Sequence, residues 1–379
     1  MICFHVFIFS SFHYNDLPMH VRSLQLESFR SYQKLNLECT SESQMFLGNN
    51  GEGKTNLIEA LSYLSYGKSC LKASPDEAVR WEEQFFKVRA DIRSDDGTDT
   101  ALEFIFQTMP RRQSAYFIND VRTPILEFIG FLPSIVFLPQ ALELFRGPPG
   151  DRRQFLDAMV TQLKPAYASE RLEYDRILKQ RNALLKQIAN GEANESGLEL
   201  WDAELASAAS KISAERRAVL DALSASLLER LQALGEQWKD VKMTYVSSVD
   251  DDEVSSMLQA LRNTRTRDMA MQTTSVGPHR DDWRLIADGH DLATFASRGQ
   301  QRTSLLALLF ASASLFVAAR HEKPIIMLDD VLSELDDHHQ ESLFKELQGH
   351  QFFITGTHPI EMLGEVTPWQ VSAGQVEVL

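Results

Sequence analysis

Cysteine is scarce in this chain: three among 379 residues, Cys3, Cys39 and Cys70, at spacings that form neither a disulfide framework nor a metal-binding set. A reducing compartment, the cytoplasm, is therefore expected. Excess positive charge is also missing. The formal net charge is −15, with 38 Lys and Arg against 53 Asp and Glu, which excludes a generally basic, nonspecific nucleic-acid binder, because neutralising phosphates requires clustered cations. Any nucleic-acid surface must be local. No internal repeat is visible, and with the first 18 residues set aside no segment looks membrane-associated. Those residues, MICFHVFIFSSFHYNDLP, carry an apolar run broken by His5, with no basic residue ahead of it and no small-residue cleavage site. They are expected to be a non-native or disordered leader, with translation starting at Met19.

What is present is ordinary globular composition, 44% hydrophobic and 24% charged, in a chain long enough for two or three domains. From Val21 to Glu38, Leu24, Leu26, Leu35 and Leu37 alternate with polar residues, which predicts two half-buried strands and a bend. SQMFLG reads as a buried strand and KTNLIEALSYLSYG as a helix closed by Gly67. FFKVRADI, ALEFIF and SAYFINDVRTPIL are further strands, the last turning at Asn119-Asp120, and SIVFLP ends this sheet-rich part at about Pro139. After GPPG (147–150) the composition turns rich in Leu, Ala, Glu, Arg, Lys and Gln, which predicts two long antiparallel helices joined through residues 190–197, with Pro165 starting a fresh helix. Between Asp151 and Asn190 eight Lys or Arg face five Asp or Glu, a basic stretch in an acidic chain. VKMTYVSS is a strand, DEVSSMLQALRNTRTRD a helix and DWRLIADG a strand. The rest alternates: a helix from about Gln300, strand PIIMLDD, a helix from about Asp337, strand FFITGT, the order of an α/β parallel sheet.

The strongest chemical signal is GNNGEGKTN, the residues Gly48, Asn49, Asn50, Gly51, Glu52, Gly53, Lys54, Thr55 and Asn56, which match G-x-x-x-x-G-K-[ST] between a strand and a helix. Such a loop closes backbone N–H groups around phosphates, Lys54 reaches the terminal phosphates and the Thr55 hydroxyl ligates Mg²⁺. A carboxylate for the metal is needed on a neighbouring strand. IIMLDD supplies Asp329 for that role and Asp330 as the acid that orients or deprotonates the attacking water. SRGQQR at the start of a helix is a second anion-binding candidate, facing outward because one chain has no use for two phosphate cradles.

That third motif resembles the signature loop of ABC-type ATPases, in which Ser and Gly of one subunit close over the γ-phosphate held by another; Ser297, Gly299 and Gln300 stand at those positions. By the same resemblance Gln140 is the glutamine that reaches toward metal and water, SELD (333–336) the dimer-contact loop and His358 the switch histidine. Closer still, LQLESFRSYQKLNLE, the phosphate-loop helix, VFLPQALELFRGPPGDRRQFLD, RILKQRNALLK, TSVGPHRDD and LDDVLSELDDHHQ occur in the order and spacing of the RecF family of bacterial recombinational-repair proteins, from Met19 to the C-terminus.

The resemblance implies an α/β fold: an ABC-type P-loop ATPase head with a mixed sheet, plus a helical arm domain formed by a short antiparallel helical pair. The expected division is head at 19–145, arm at 146–269 and head again at 270–379. It implies an ATP-dependent homodimer, with ATP and Mg²⁺ as cofactors, that binds gapped DNA at single-strand/duplex junctions. It further implies action with RecO and RecR to help load RecA, supporting gap repair and the SOS response. Asp330 is one methylene shorter than the Glu many ABC ATPases carry, which suggests weak, slow hydrolysis. Candidate phosphate contacts are Arg152, Arg153, Arg171, Arg176, Lys179 and Arg181, with Arg111 and Arg112 on a nearby loop. An alternative is the ATPase subunit of an ABC-type membrane transporter, which the long helical pair disfavours; arms this short also disfavour a purely structural chromosome tether.

Overall fold

The computed structural model describes residues 20–39, 43–93, 97–359 and 366–379, so the expected leader lies outside the described residues. Strands β1 (His20–Phe29) and β2 (Tyr32–Glu38) pair antiparallel with Leu24 opposite Leu37 and Leu26 opposite Leu35. The period-2 pattern places all four leucines on the buried face. After β3 (Ser43–Leu47), α1 (Lys54–Tyr66) and the short α2 (Pro75–Ala78), the chain returns to the first sheet with β4 (Phe85–Arg93), β5 (Asp99–Gln107), β6 (Gln113–Ile118) and β7 (Val121–Thr123). The result is an antiparallel sheet in the order β2-β1-β4-β5-β6-β7. Asn119 and Asp120 both take positive φ in the β6–β7 turn, as a tight hairpin matching the strand twist requires.

Past α3 (Ile125–Phe128) and β8 (Ser134–Phe137), the helices α4 (Glu143–Arg146), α5 (Pro149–Leu163), α6 (Ala166–Ala189) and α7 (Leu198–Ala233) form the arm and its root. Pro165 precedes α6, and residues 190–197 connect α6 to α7. At 36 residues α7 is about 54 Å long. Next come β9 (Val241–Val246), α8 (Val254–Met271), β10 (Asp282–Ala287) and β11 (His290–Asp291), whose strands make a three-stranded antiparallel sheet against α7. The chain ends with α9 (Leu292–Phe295), α10 (Arg298–Arg320), β12 (Ile325–Leu328), α11 (Asp337–Leu347), β13 (Phe352–Gly356), β14 (Val366–Ser372) and β15 (Gln375–Val378).

The central layer is the sheet β15-β14-β3-β13-β12-β8, parallel except for its β15 edge. It is buried on both faces. Ile325 and Met327 join Phe46, Phe353 and α1 in a core under the antiparallel sheet, while Ile326 and Leu328 join Phe137, α10 and the arm root in a second core. Two-sided burial explains why IIML is uniformly apolar rather than alternating. β14 and β15 were not foreseen: Pro368 obscures the strand pattern, which only pairing with β3 completes. α10 is also the one helix among the described residues long and apolar enough to cross a membrane, but its leucines and phenylalanines fill the second core.

The turn GPHRDD, residues 277–282, rivets the arm to the head. Pro278 O accepts from Arg216 Nη1 of α7 at 2.7 Å, Asp281 O from Arg153 Nη1 of α5 at 2.7 Å, and the Asp282 carboxylate takes a two-pronged contact from Arg152 of α5 at 2.7 and 2.9 Å. His279 is clasped between Tyr174 Oη (2.6 Å from Nδ1) and Thr274 O (3.0 Å from Nε2). A neutral imidazole protonated at Nε2 satisfies both contacts. Burial, with Arg280, Arg171 and Arg153 nearby, pushes its pKa down to about 4. Farther out, Arg181 is 0% exposed, bonded to Asp202 and Asp268, whose other partners include Arg265, Thr264 and Ser275.

Two stability predictions follow from this root. Removing one member of a buried charge cluster strands the others, so Arg181→Met is expected to destabilise by roughly 3–5 kcal/mol in urea unfolding. Exposed Arg176→Met should change stability by about 0.5 kcal/mol or less. His279 is held neutral in the fold yet protonates near pH 6.5 when unfolded, so stability should fall from about pH 6.5 down to about pH 4. This group contributes on the order of 2–3 kcal/mol of that loss. His279→Gln, which retains one donor and one acceptor, should flatten that window; an unchanged profile would assign the loss elsewhere.

Candidate functional site

The carboxyl ends of β3, β12 and β13 meet at one edge of the parallel sheet, where the strand register sets Leu47 beside Gly356 and Leu328 beside Ile354. The phosphate loop, residues 48–56, runs from β3 into α1. Gly53 has φ 106°, and a Cβ there would lie 2.7 Å from Ser31 Oγ, so both conformation and space demand glycine. Tyr32 Oη donates to Gly53 O at 3.0 Å, fixing the loop to the β1–β2 turn, and the Glu52 carboxylate accepts from Ala373 N beyond β14. Asn49, Asn50 and Gly51 form the exposed crest, while Gly48 N donates to Gly356 O at 3.3 Å.

Lys54 is 7% exposed, and its ammonium donates to Gly48 O at 2.7 Å and Asn49 O at 2.8 Å. Those partners are neutral carbonyls, so a buried cation stands at a helix N-terminus ready for an anion. Thr55 Oγ1 sits 2.9 Å from both oxygens of Asp329, and Thr355 Oγ1 donates to Asp329 Oδ1 at 2.7 Å. Burial, reinforced by neighbouring Asp330, raises the Asp329 pKa, while the two threonine hydroxyls and Lys54 pull the other way. A carboxylate and a hydroxyl at this separation, short of positive charge, fit Mg²⁺ held by Thr55 and by Asp329 through its water shell. Asp330 takes a left-handed φ of 47°, and its N–H donates to Thr355 Oγ1 at 2.9 Å. Strain at a non-glycine residue, held by a side-chain bond, is the kind found where a group must be aimed.

Thr355 is thus a site residue that sequence reasoning missed. Its only signal was position: FFITGT ends a strand parallel to the one ending in Asp329. Gln140 and His358 lie at the same sheet edge. Gln140 follows β8, whose Phe137 O accepts from Asp329 N at 2.9 Å, and its exposed side chain lines a cavity with Lys68, Lys72 and Glu143. His358 is exposed two residues past Gly356. Ser333 Oγ donates to Asp330 O at 2.9 Å, tying SELD to the same acid.

Ser297 caps α10. Its Oγ accepts from Gln300 N at 3.2 Å and Gln300 Oε1 accepts from Ser297 N at 3.0 Å, a capping box, while Gln300 Nε2 donates to Glu236 Oε2 at 3.3 Å. Ser297, Arg298 and Gly299 are exposed. A Cβ on Gly299 would meet only Ser297 Oγ at 3.8 Å, so nothing among the described residues requires glycine there.

The candidate DNA contacts divide. Arg181 is corrected: it is wholly buried against Asp202 and Asp268 and cannot reach a phosphate. Arg152 is corrected too, its guanidinium being spent on Asp282 and on the carbonyls of Leu144, Phe145 and Gly147. Arg153 is half-buried on Asp281 O, and Arg171 lies over the Tyr174 ring with Asp157 and Asp175 as partners. Arg111, Arg112, Arg176 and Lys179 are exposed, Arg112 pairing with Asp76 and Arg176 with Glu173. The net positive count along 151–190 was therefore a poor guide, because four of its five arginines, Arg152, Arg153, Arg171 and Arg181, are engaged and at least partly buried within the chain.

A phosphate loop, an acidic strand end and an outward signature-like helix around a mixed sheet, with helices inserted between them, define an ABC-type ATPase head of the SMC kind. Residues 20–371 match the family "RecF/RecN/SMC N terminal domain". The DNA replication and repair protein RecF of Heliobacterium modesticaldum is 34% identical over 369 residues, covering 94% of this chain and 99% of that one. RecF of Moorella thermoacetica is also 34% identical, over 364 residues, covering 94% and 96%. Among solved structures, that of the recombination mediator protein RecF-ATP in the RecFOR pathway superposes with a TM-score of 0.90 at 29% identity, covering 97% of this chain and 100% of that one. An Smc head bound to the C-terminal winged-helix domain of ScpA shares the fold alone, with a TM-score of 0.56 at 14% identity. The chain belongs to the RecF family of DNA replication and repair proteins.

Lys54→Ala removes the buried cation. It is expected to weaken ATP binding by about tenfold or more, read by calorimetry, while leaving the thermal midpoint without nucleotide within a few degrees.

Proposed function

We propose that the chain is an ATP-switched DNA-binding protein of recombinational gap repair, working in the cytoplasm as a homodimer with two ATP molecules between its subunits. The observation that carries this reading is Gly299. It stands in the exposed first turn of α10, and no contact among the described residues requires a glycine there. Its missing side chain makes room for close approach from outside, and the first N–H groups of α10 face the same way. The nucleotide phosphates on a second copy suit that surface in charge and size.

In this reading the 48–56 loop and Lys54 hold the phosphates, Thr55 and Asp329 hold Mg²⁺, and Ser297, Gly299 and Gln300 close from the partner subunit. Bound Mg²⁺ would offset phosphate charge. Asp330, aimed by Thr355, orients the attacking water; its short side chain suits slow turnover, with DNA as the stimulus. Gln140 and His358 complete the γ-phosphate end. Dimerisation brings two arm regions, residues 146–269, to a common side, so that Arg176, Lys179, Arg111 and Arg112 of both copies add into one basic surface. That surface takes gapped DNA at a single-strand/duplex junction. The pathway named for the RecF-ATP structure supports RecO and RecR as partners in helping to load RecA and support the SOS response. α10, the helix apolar enough for a membrane, is occupied with the core, which favours this reading over a transporter subunit.

Sedimentation of the full chain with ATP and Mg²⁺, with and without a gapped duplex, tests the proposal. Wild type should dimerise and bind DNA; Lys54→Ala and Ser297→Arg should stay monomeric. Arg176→Glu with Lys179→Glu should still dimerise but bind DNA about tenfold or more weaker, with a shallower salt dependence. A wild-type chain that remains monomeric with ATP removes the sandwich; unchanged, salt-sensitive DNA affinity in the double variant removes those two residues.

A further inference from the structure

Thr55 turns toward Asp329, but the next residue turns the other way: Asn56 Nδ2 donates to Ser31 Oγ at 3.1 Å. On that second flank of the phosphate loop opens a cavity of about 530 Å³ whose walls include Arg30, Ser31, Asn56, Arg80, Trp81 and Glu82. Trp81 is 92% exposed. An indole is among the side chains a fold gains most from burying, so one left in water on a well-held backbone calls for a ligand.

The backbone is well held. Arg30 N donates to Ala78 O at 2.8 Å and Arg80 N to Ser28 O at 2.9 Å, with Phe29 and Val79 forming an isolated bridge between the two segments. Arg30 adds a two-pronged contact to buried Glu59 at 2.7 Å and a bond to Glu77 O at 2.7 Å, while Arg80 Nη1 donates to Ser31 O. The Trp81 ring, by contrast, projects into water.

We propose that Trp81 is the base platform of the nucleotide site, stacking its indole on the purine of the ATP whose phosphates lie against Lys54. This rests on the ATP-binding reading above and adds to it the group that recognises the base. Ser31 joins the two features, because it touches the space a Gly53 side chain would fill and also lines the cavity. A base tethered through its ribose to phosphates in the loop is delivered to this flank at high effective concentration. An unpaired DNA base could also stack on an indole, but Arg30 is already held by Glu59, which leaves Glu77 and Glu82 against Arg80 alone, a net negative wall that opposes a polyanionic strand. A neutral purine meets no such opposition.

Calorimetry on the full chain with Mg²⁺, using ATP and inorganic tripolyphosphate as separate probes, tests this. Trp81→Ala should weaken ATP by about fivefold or more and leave tripolyphosphate within about twofold, with Trp81→Phe recovering most of the ATP affinity. Equal loss for both probes would make Trp81 merely structural and overturn the proposal. Unchanged ATP affinity would overturn it as well, and a loss of single-stranded oligonucleotide binding in the same variant would reassign the indole to DNA. A wild type that binds neither probe refutes the nucleotide site itself, a result distinct from base-selective loss.

Discussion

The site depends on one buried carboxylate. Asp329 follows β12, accepts from Thr355 at the end of β13 and lies against Thr55 at the start of α1, so two strands and the first turn of a helix are registered through two oxygens. Two-sided burial of the parallel sheet makes this possible, because strands locked by cores above and below end at fixed heights. The Asp330 N–H donates to the same hydroxyl that anchors Asp329, which couples the positions of the two neighbouring acids.

The second constraint lies at the arm root. One six-residue turn receives arginines from α5 and α7 and a tyrosine from α6. Each of these side chains is long and charged or polar, and each is buried or half-buried with its partners satisfied, so the arm is fixed by directional bonds as well as by apolar packing.

Acidic character and DNA affinity are compatible in this architecture. Most cations near the arm root are consumed by carboxylates, and the exposed remainder is small on one copy. In the proposed dimer, duplication by symmetry is what makes a basic surface, and DNA affinity is then a property of the nucleotide-bound pair.

The sequence alone determined the phosphate loop, the acidic strand end, the capped helix at Ser297, the helical pair and most strands, because these rest on local chemistry: glycine conformations, capping residues and periods of 2 and 3.6. Tertiary structure decided the rest. Thr355 joined the site only when β13 paired beside β12; Arg181 and Arg152 left the DNA surface only when their carboxylate partners, distant in sequence, arrived; His279 became a buried clasp; and Trp81 was revealed as an unpacked ring beside the loop. The physical reason is common to all four. Whether a polar or aromatic side chain faces a partner, a ligand or water depends on neighbours brought by long-range pairing, and no local pattern encodes that.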